Sequence, residues 1–421
     1  MPDVYRRYLK MGRAMRVLIV APNISTRMGG EAIIPWHYIR ELSALGVEVH
    51  ALTHERVRQE ILESDINTRA TFHFADDALI EKGIHKSGAV LPHALRETIS
   101  SSAIGLVTML RLARRARRLE RERSFDVIHQ PTPVSPMFPS FLHKMDAPVV
   151  IGPMNGAMNY PPAFRKDYSR GAGAVVGIGR PIAAIANVIA PGKPRAAKLL
   201  VANERTADGL PGNVKKSKVE ILVENGVDLD LWSPPPTAKS DPPTFVYVGR
   251  LVWMKALELL IEAFAKTAAP ARLQIIGDGP ERETLEAHAR AIGAAGDRIE
   301  FLGFRPQAEI ADFLARATAL VLPSLRECGG AVVLEAFACN TTAIATKWGG
   351  PCDYITDDTG FLVPPESREE FVMGLAERMT HLAMNQDLAE RLGVAARKRV
   401  EEHFTWKAKA AKILDIYKEL A

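Results

Sequence analysis

The feature that most constrains the fold of this chain is a pattern that occurs twice, in which short apolar runs alternate with segments of helical periodicity. The first instance is the run 16–21, followed by a glycine-containing loop, a helical pattern over 32–45 and a second run over 47–52. Continuous apolar runs of this length suit strands that are buried on both faces of a sheet. Strands that alternate with helices in this way predict a parallel, doubly wound α/β sheet.

The same pattern begins again after a proline-rich segment, 233–244, which we interpret as a linker. The second series consists of apolar runs at 245–249, 273–277, 299–303, 319–323 and 342–346. We therefore predict two Rossmann-like domains, residues 1–225 and 226–400. Because ligands of such sheets bind beyond the carboxyl ends of the strands, we expect the two domains to face one another across a cleft.

The charge is distributed unevenly between the two halves. The formal net charge of the whole chain is +5, yet residues 1–225 contain 32 Lys and Arg against 21 Asp and Glu. Residues 226–421 contain 22 Lys and Arg against 28 Asp and Glu, so the first half carries +11 and the second −6. An asymmetry of this kind indicates that the two halves have different partners.

Much of the positive charge lies in the segment Arg111–Arg123, which contains seven arginines. Apolar side chains at Met109, Leu112, Ala116 and Leu119 recur at helical spacing, so the segment predicts a basic amphipathic helix. One interpretation is a solvated helix face, and the alternative is a patch that lies on an anionic membrane. Nucleic acid is disfavoured as a partner, because no interleaved aromatic residues or known nucleic-acid motif accompany the arginines.

Composition places the chain among soluble globular proteins, with 47% hydrophobic and 24% charged residues. The most apolar stretch, 171–192, is interrupted by Arg180, Pro181 and Pro191, so we predict no transmembrane span there. The N-terminus lacks the apolar segment of a secretory signal. The three cysteines cannot all pair and match no zinc spacing, which favours the reducing cytoplasm.

Two glutamates, Glu327 and Glu335, flank a glycine-containing turn that follows the predicted strand 319–323. Glycines in such a turn let backbone N–H groups approach a ligand closely, and the N-terminus of the next helix carries a partial positive charge. The arrangement suits a phosphate that lies between two hydroxyl-binding carboxylates. Taken alone, the same spacing also occurs in glutamates with a structural or surface role.

Two cations follow the predicted strand 245–249. Arg250 comes directly after the strand, and Lys255 lies near the start of the next helix. Both side chains are therefore expected at the same end of the sheet. An arginine can bridge two phosphate oxygens and a lysine adds a point charge, although a structural salt bridge is an equal alternative for either residue alone.

Together these segments resemble the retaining glycosyltransferase family 4, whose fold is the two-lobed GT-B fold. The motifs that carry the resemblance are ENGVD at 224–228, GRLVWMK at 249–255, IIGDGP at 275–280, SLRECGGAVVLEAFA at 324–338 and GFLVPP at 360–365. In the N-terminal half, FDVIHQP at 125–131 and the Gly29-Gly30 loop match the family more weakly. The resemblance covers nearly the whole chain, with Ala256 standing where the family usually has glycine.

The resemblance implies a nucleotide-diphosphate sugar as co-substrate, with UDP- or GDP-sugars favoured, and no metal or other cofactor. Arg250 and Lys255 would hold the diphosphate, Glu335 would bind the ribose hydroxyls, and Glu327 would bind hydroxyls of the transferred sugar. His129 would face the sugar from the N-terminal lobe and would complete the catalytic set. The remaining donor-binding residues would be Gly29, Gly30, Phe304, Gly329, Gly330 and Ala331.

Two further expectations concern the N-terminal lobe. Asn155 and Gly156, in a turn after the predicted strand 149–152, are our candidates for acceptor contacts. The resemblance also implies that residues 401–421 form a helix that returns to the N-terminal domain.

We therefore expect a retaining enzyme that transfers a hexose from a nucleotide sugar in envelope polysaccharide or glycolipid assembly, at the inner face of a membrane and with a lipid-linked acceptor. One alternative is a nucleotide-sugar epimerase of the same fold. The other is a membrane-bound, non-catalytic scaffold with a degenerate site. The enzyme is favoured because four charged residues are intact: Arg250, Lys255, Glu327 and Glu335.

Overall fold

The computed structural model describes residues 13–28, 30–76, 93–168, 186–234 and 238–421, which form two compact units. The first unit holds the described residues within Met1–Ala157, Val176–Glu224 and Lys409–Ala421. The second holds those within Met158–Val175 and Asn225–Ala408. Of the sequence predictions, Gly29 and residues 171–185 of the apolar stretch lie outside the described residues.

The first unit is built on a parallel seven-stranded sheet with the order β3-β2-β1-β4-β5-β6-β7. Its strands are β1 (Arg16–Val20), β2 (Glu48–His54), β3 (Thr71–Ala75), β4 (Val127–Gln130), β5 (Val149–Met154), β6 (Lys198–Val201) and β7 (Val219–Ile221). Its helices are Ile33–Ala44, Arg58–Leu62, His93–Glu122, Gly192–Arg195 and Glu204–Asp208. The central strands are buried on both faces, as their continuous apolar runs predict.

The basic amphipathic helix predicted around residue 115 is the C-terminal part of the helix His93–Glu122. Its apolar stripe, Met109, Leu112, Ala116 and Leu119, is buried in the core beneath the sheet, which confirms the predicted spacing. The arginines between these positions therefore lie toward the outside of the unit. Within the described part of the chain, no helix combines the length and the apolarity that crossing a bilayer requires.

The second unit contains a parallel six-stranded sheet with the order β10-β9-β8-β11-β12-β13. Its strands are β8 (Thr244–Val248), β9 (Arg272–Ile276), β10 (Ile299–Gly303), β11 (Ala319–Leu322), β12 (Thr342–Thr346) and β13 (Gly360–Val363). Its helices are Arg165–Tyr168, Leu257–Ala265, Arg282–Ala291, Gln307–Arg316, Ala331–Ala338, Pro351–Tyr354, Arg368–Met384 and Gln386–His403. The predicted class, doubly wound parallel α/β, is confirmed in both units.

The strand order of the second unit reverses at β8. The chain passes from β8 outward to β9 and β10, and then returns to place β11 on the other side of β8, with Ala319 opposite Phe245 and Leu320 opposite Val246. The loops that leave the carboxyl ends of β8 and β11 therefore diverge from one point. In open α/β sheets this is the place where ligands bind.

The C-terminal helix spans Trp406–Leu420. From Lys409 onward it packs in the first unit, where Ile413 and Tyr417 are fully buried. Residues 158–168 do not follow the predicted domain boundary at residue 225. They pack in the second unit although they precede β6 and β7 in the sequence. Aromatic contacts of Tyr160 and Phe164 hold them in the second unit.

Candidate active site

The candidate site of the second unit is built from the two loops that leave β8 and β11. The first loop runs from Gly249 to Ala256 and contains a short turn of 3-10 helix at Trp253–Lys255. The second runs from Pro323 to Gly330 and leads into the helix Ala331–Ala338. A backbone hydrogen bond of 3.1 Å from the N–H of Leu325 to the carbonyl of Met254 joins them directly.

Lys255 and Glu327 form an ion pair between these loops. The ammonium of Lys255 donates to Oε2 of Glu327, and the two side chains are 19% and 13% exposed. A pair that is largely shielded from water but still reachable is suited to exchanging partners with an incoming anion. The structure thus brings together two of the predicted catalytic residues, and Arg250 lies exposed at the start of the same first loop.

Glycine at two positions permits the close packing of the second loop. Gly330 precedes the helix Ala331–Ala338 with φ +74°, in the left-handed region that favours glycine, and a Cβ there would lie 3.1 Å from Cγ of Glu327. A Cβ on Gly350 would lie 2.2 Å from the carbonyl oxygen of Gly329. The N–H of Gly350 donates to the carbonyl of Glu327 at 2.8 Å, so the loop after β12 holds the backbone of Glu327 in place.

Glu335 lies on the second turn of the helix that Gly330 begins. Burial raises the pKa of Glu335 to about 7, because a buried carboxylate loses its hydration. A carboxyl group with such a pKa can be neutral in the empty protein and ionise when hydroxyl groups donate to it. This behaviour is compatible with the predicted role of binding ribose hydroxyls.

Phe304 and Ala256 lie at the edges of the site. Phe304 follows β10 at the carboxyl end of the same sheet, and its side chain is 80% exposed, which leaves the ring face accessible for stacking. Ala256, after Lys255, is fully buried and has φ +52° and ψ +42°. It therefore adopts the left-handed conformation for which glycine is the usual residue.

An aromatic cluster that the sequence motifs do not reveal supports the two loops. The ring of Tyr160 stacks on the indole of Trp253, with centroids 5.5 Å apart and planes inclined by 27°. The guanidinium of Arg326, the residue before Glu327, lies 5.8 Å from the centroid of Tyr160. Tyr160 therefore contacts Trp253, two residues before Lys255, and Arg326, directly before Glu327.

The segment around Tyr160 is attached at further points. The indole N–H of Trp348 donates to the carbonyl of Asn159 at 2.8 Å, and Phe164 packs edge-on against Phe371. The structure packs residues 159–162 against the candidate donor loops, although they follow closely on Asn155 and Gly156, the candidates for acceptor contacts. Their aromatic and proline residues were the available signal, but no local pattern identifies which loop an aromatic ring will contact.

His129 is placed inside the first unit, at the carboxyl end of β4. Its side chain is fully buried, Nε2 donates to the carbonyl of Gly152 at 2.6 Å, and Nδ1 accepts from the hydroxyl of Tyr417 at 2.6 Å. Burial lowers the pKa of His129 to about 4, so the ring is neutral near pH 7. These contacts anchor the C-terminal helix, and the predicted catalytic role of His129 stays a prediction.

The other predicted residues of the first unit also have internal partners. Asn155 is buried, and its amide donates to Oε1 of Glu224 at 2.6 Å. The N–H of Gly156 donates to Oγ1 of Thr206 at 3.2 Å. Gly30 lies after β1 with φ +54°, and space for a larger residue surrounds it. Acceptor and donor contacts of these three residues stay predictions.

A family model matches much of the second unit. The family described as Glycosyl transferases group 1 matches residues 230–399, which include β8 to β13 and both site loops. We call this matched segment the group 1 domain. It carries the Lys255–Glu327 pair, Arg250, Phe304 and Glu335.

Matches to whole proteins are partial in sequence. Alpha-maltose-1-phosphate synthase of Mycolicibacterium smegmatis is 28% identical over 219 residues, which are 48% of this chain and 57% of that protein. The chain thus spans about half the length of the curated relatives it matches.

Solved structures match nearly the whole chain. Sucrose-phosphate synthase from Thermosynechococcus elongatus has a TM-score of 0.68 at 20% identity, over 97% of this chain and 99% of that chain. HepE of Anabaena in complex with UDP has a TM-score of 0.66 at 15% identity, over 96% of this chain and 100% of that chain. Likeness at this identity establishes the fold, so the predicted GT-B fold is confirmed.

Proposed function

We propose that this protein is a retaining glycosyltransferase that moves a hexose from a nucleotide-diphosphate sugar to an acceptor. The observation that carries the proposal is the Lys255–Glu327 ion pair, which joins the loops of β8 and β11 at the reversal of strand order. A UDP- or GDP-sugar is the donor that we expect. The HepE structure, which shares the fold, is a complex with UDP and supports a nucleotide of this class.

The chemistry requires that the leaving group be stabilised. Cleavage of the anomeric C–O bond leaves a cationic sugar and a multiply anionic nucleoside diphosphate, so fixed positive charge at the diphosphate lowers the barrier. Arg250, Lys255 and the N-terminus of the helix Ala331–Ala338 would supply that charge from this chain's own groups. The loss of one such donor typically costs about 10²- to 10³-fold in rate.

The ion pair implies an exchange of partners when the donor binds. As the diphosphate binds, Lys255 would exchange the carboxylate of Glu327 for phosphate oxygens, which carry more negative charge. Glu327 would then accept hydrogen bonds from hydroxyls of the sugar, a role that needs an ionised carboxylate. Binding would thereby couple the position of the diphosphate to that of the sugar.

Retention of configuration follows if the acceptor attacks on the face from which the diphosphate leaves. The departing phosphate oxygen would take the proton of the acceptor hydroxyl, so no side chain need act as a nucleophile. Glu327 would serve to bind hydroxyls instead of forming a covalent sugar intermediate. The anomeric configuration of the product, measured by NMR, tests this part of the proposal.

The proposal is tested by donor binding and turnover in matched variants. We expect one class among UDP-, GDP-, ADP- and dTDP-sugars to raise the melting temperature, because a ligand of the native state stabilises it. Lys255→Ala should abolish that shift and slow turnover by about 10²- to 10³-fold. Lys266→Ala, which changes a lysine outside the two site loops, is the control. An unchanged donor affinity in Lys255→Ala would refute the assignment.

We further propose that the enzyme acts in the cytoplasm at the inner face of a membrane, on a lipid-linked acceptor of envelope polysaccharide or glycolipid assembly. The support is the +11 charge of residues 1–225 and the arginine-rich helix. Flotation with vesicles that contain phosphatidylglycerol should recover the protein at low salt. Failure to float with such vesicles would contradict membrane association without affecting the transfer reaction.

The comparisons favour transfer over the two alternatives that the sequence left open. An epimerase would change a nucleotide sugar without an acceptor, whereas a transferase consumes the donor productively when an acceptor is present. Incubation with the donor alone, followed by a search for an epimeric nucleotide sugar, separates the two reactions. A scaffold without activity would show no dependence of donor binding on Lys255.

A further inference from the structure

A cavity of about 470 Å³ lies beside the edge strand β3 of the first unit. One wall is formed by four arginines of the helix His93–Glu122, namely Arg111, Arg114, Arg115 and Arg118. The other wall comes from the end of β3, where Phe74 and Asp76 line the space. The cavity thus combines a concave shape with an unusual density of positive charge.

The helix fixes the arginines on one side by its periodicity. Positions 111, 114, 115 and 118 are spaced i, i+3, i+4 and i+7, which places them on a single face. The opposite face is locked in the core through Leu112, Ala116 and their neighbours, so the helix cannot rotate to separate the guanidinium groups. The charged wall is therefore a fixed feature of the fold.

Within the described residues, three of the four arginines of this wall have no carboxylate partner. Other arginines of the unit, such as Arg58 and Arg69, have carboxylate partners. Among the residues that the structure describes, Arg114, Arg115 and Arg118 form no ion pair. Glu120, one of two acidic residues in this stretch of helix, instead accepts hydrogen bonds from the backbone of Asp146 and Ala147.

The wall formed by the end of β3 is held in place by polar and aromatic contacts. Arg111 donates through Nη1 to the carbonyl of Asp76, and the guanidinium of Arg58 lies 4.1 Å from the centroid of Phe74. Burial, the neighbouring His50 and the charges of Arg115 and Arg123 lower the pKa of His73 to about 4. A group beside the wall thus experiences a positive field.

We propose that this cavity, the arginine pocket, binds a phosphate or pyrophosphate group. Guanidinium groups match phosphate oxygens in bidentate geometry, and several of them around one concavity favour a multiply charged anion. The group can belong to a soluble phosphorylated molecule or to a lipid headgroup. The proposal does not depend on glycosyl transfer, since the pocket lies wholly within the first unit.

Calorimetric titration with inorganic pyrophosphate tests the pocket. The Lys255→Gln protein is used as the parent, so that binding at the candidate donor site does not contribute. We expect one equivalent to bind, and Arg114→Gln with Arg118→Gln to weaken it at least ~10-fold, because the anion loses charge-assisted hydrogen bonds. Arg121→Gln with Arg123→Gln removes the same charge from the C-terminal end of the helix and the residue after it, outside the pocket, and should bind like the parent.

Three outcomes would overturn the proposal: no binding by the parent, unchanged binding in the pocket variant, or an equal loss in the control variant. Circular dichroism of each variant establishes that the helix is retained. The source of the group is read from vesicle binding at about 0.15 M salt, where diffuse attraction is largely screened. A loss of binding to phosphatidylglycerol vesicles specific to the pocket variant identifies a lipid headgroup, and equal vesicle binding in both variants identifies a soluble ligand.

Discussion

Lys255 and Glu327 are 72 positions apart in the sequence, and the pair they form is the most informative contact at the scale of single residues. Each partner holds the other in a defined place before any ligand arrives. The same contact must break if a diphosphate is to use the ammonium group. Binding of a nucleotide therefore competes with an internal bond, and this competition can be measured.

Glu327→Gln should separate the two effects of this glutamate. Removal of the carboxylate frees Lys255, so we expect UDP, or the nucleotide identified in the donor screen, to bind a few-fold more tightly, since such pairs contribute roughly 1 kcal/mol. Turnover of the corresponding nucleotide sugar should fall because the sugar hydroxyls lose their acceptor. Calorimetry and initial rates measure the two quantities. Weaker binding of the bare nucleotide would contradict the competition.

Glu335 should make stability depend on pH. Its folded pKa of about 7 exceeds the value near 4.3 of an unfolded glutamate, so the native state binds the extra proton between these values. Its contribution to the free energy of unfolding is therefore full below about pH 4 and is lost as the pH rises to 7. Urea unfolding at pH 5 and pH 8 should show a smaller decline for Glu335→Gln than for the parent. Exposed Glu369→Gln should decline like the parent.

Tyr160 should act as a positioning residue for the donor loops. Tyr160→Ala removes the stack on Trp253 and the contact with Arg326, so we expect the KM for the donor to rise roughly 2- to 10-fold, as the value of such stacks suggests. Tyr160→Phe retains the ring and should have a smaller effect. A fall in melting temperature with unchanged KM would show that the ring supports the fold alone.

At the scale of elements, the turn between β8 and the helix Leu257–Ala265 is unusual because alanine occupies its left-handed position. Ala256 is buried, so both its backbone strain and its methyl contacts contribute to the free energy of unfolding. The left-handed conformation costs an L-residue about 1–2 kcal/mol. The chain accepts this cost at the joint between Lys255 and the helix that follows.

Substitutions at Ala256 test the strain. Ala256→Gly relieves it but loses about 0.8 kcal/mol of methyl burial and adds unfolded-state entropy, so stability should change by less than about 1 kcal/mol. Ala256→Val should destabilise by more than about 2 kcal/mol, since a β-branched side chain is disfavoured here and overfills a buried site. Chemical denaturation measures both changes, and an equally stable valine variant would exclude the strain.

Elements buried on both faces could be predicted from the sequence, whereas of the edge strands β10 was predicted and β3 and β13 were not. The runs that became β1, β8 and β12 are predominantly apolar because helices cover both faces. β3 and β13 were missed, since a sheet edge is half exposed and its sequence mixes polar residues or glycine with apolar ones. The two helices within residues 367–403 were also not predicted from the sequence.

The motifs of the candidate site could be recognised in the sequence, but the residues that support its loops could not. Arg250, Lys255, Glu327 and Glu335 belong to local patterns at strand ends, so their residue types and spacing indicate chemistry. Tyr160 reaches the same loops from a segment about 90 residues earlier, and its contact depends on tertiary packing. His129 shows the converse, because a histidine at a strand end looked functional while its buried hydrogen bonds could not be seen in the sequence.

At the scale of the whole molecule, segments that are far apart in the sequence pack in the same unit. The first unit is completed by the last thirteen residues of the chain, through Tyr417 on His129 and the buried ammonium of Lys409 on the carbonyl of Val223. Burial lowers the pKa of Lys409 to about 7, which Glu224 opposes. The first unit therefore contains segments that lie both before and after the second unit's sheet in the sequence.

Truncation after Ala408 tests this dependence. Removal of residues 409–421 takes fully buried side chains such as Ile413 and Tyr417 from the first unit, so amide exchange in β1 and β4 should accelerate by roughly tenfold or more. Strands β8 and β12 of the group 1 domain should keep the protection they have in the full chain. Hydrogen exchange followed by mass spectrometry resolves these peptides. Equal acceleration in both sheets would show that the C-terminus stabilises the chain globally.

The stack of Trp253 on Tyr160 has a practical consequence. The indole lies two residues from Lys255 and stacks on a phenol ring that also contacts the guanidinium of Arg326. Any rearrangement of the lysine loop alters the surroundings of this fluorophore. In a version of the protein whose other four tryptophans are replaced by phenylalanine, emission intensity would follow the arrival of a nucleotide in real time, without a label.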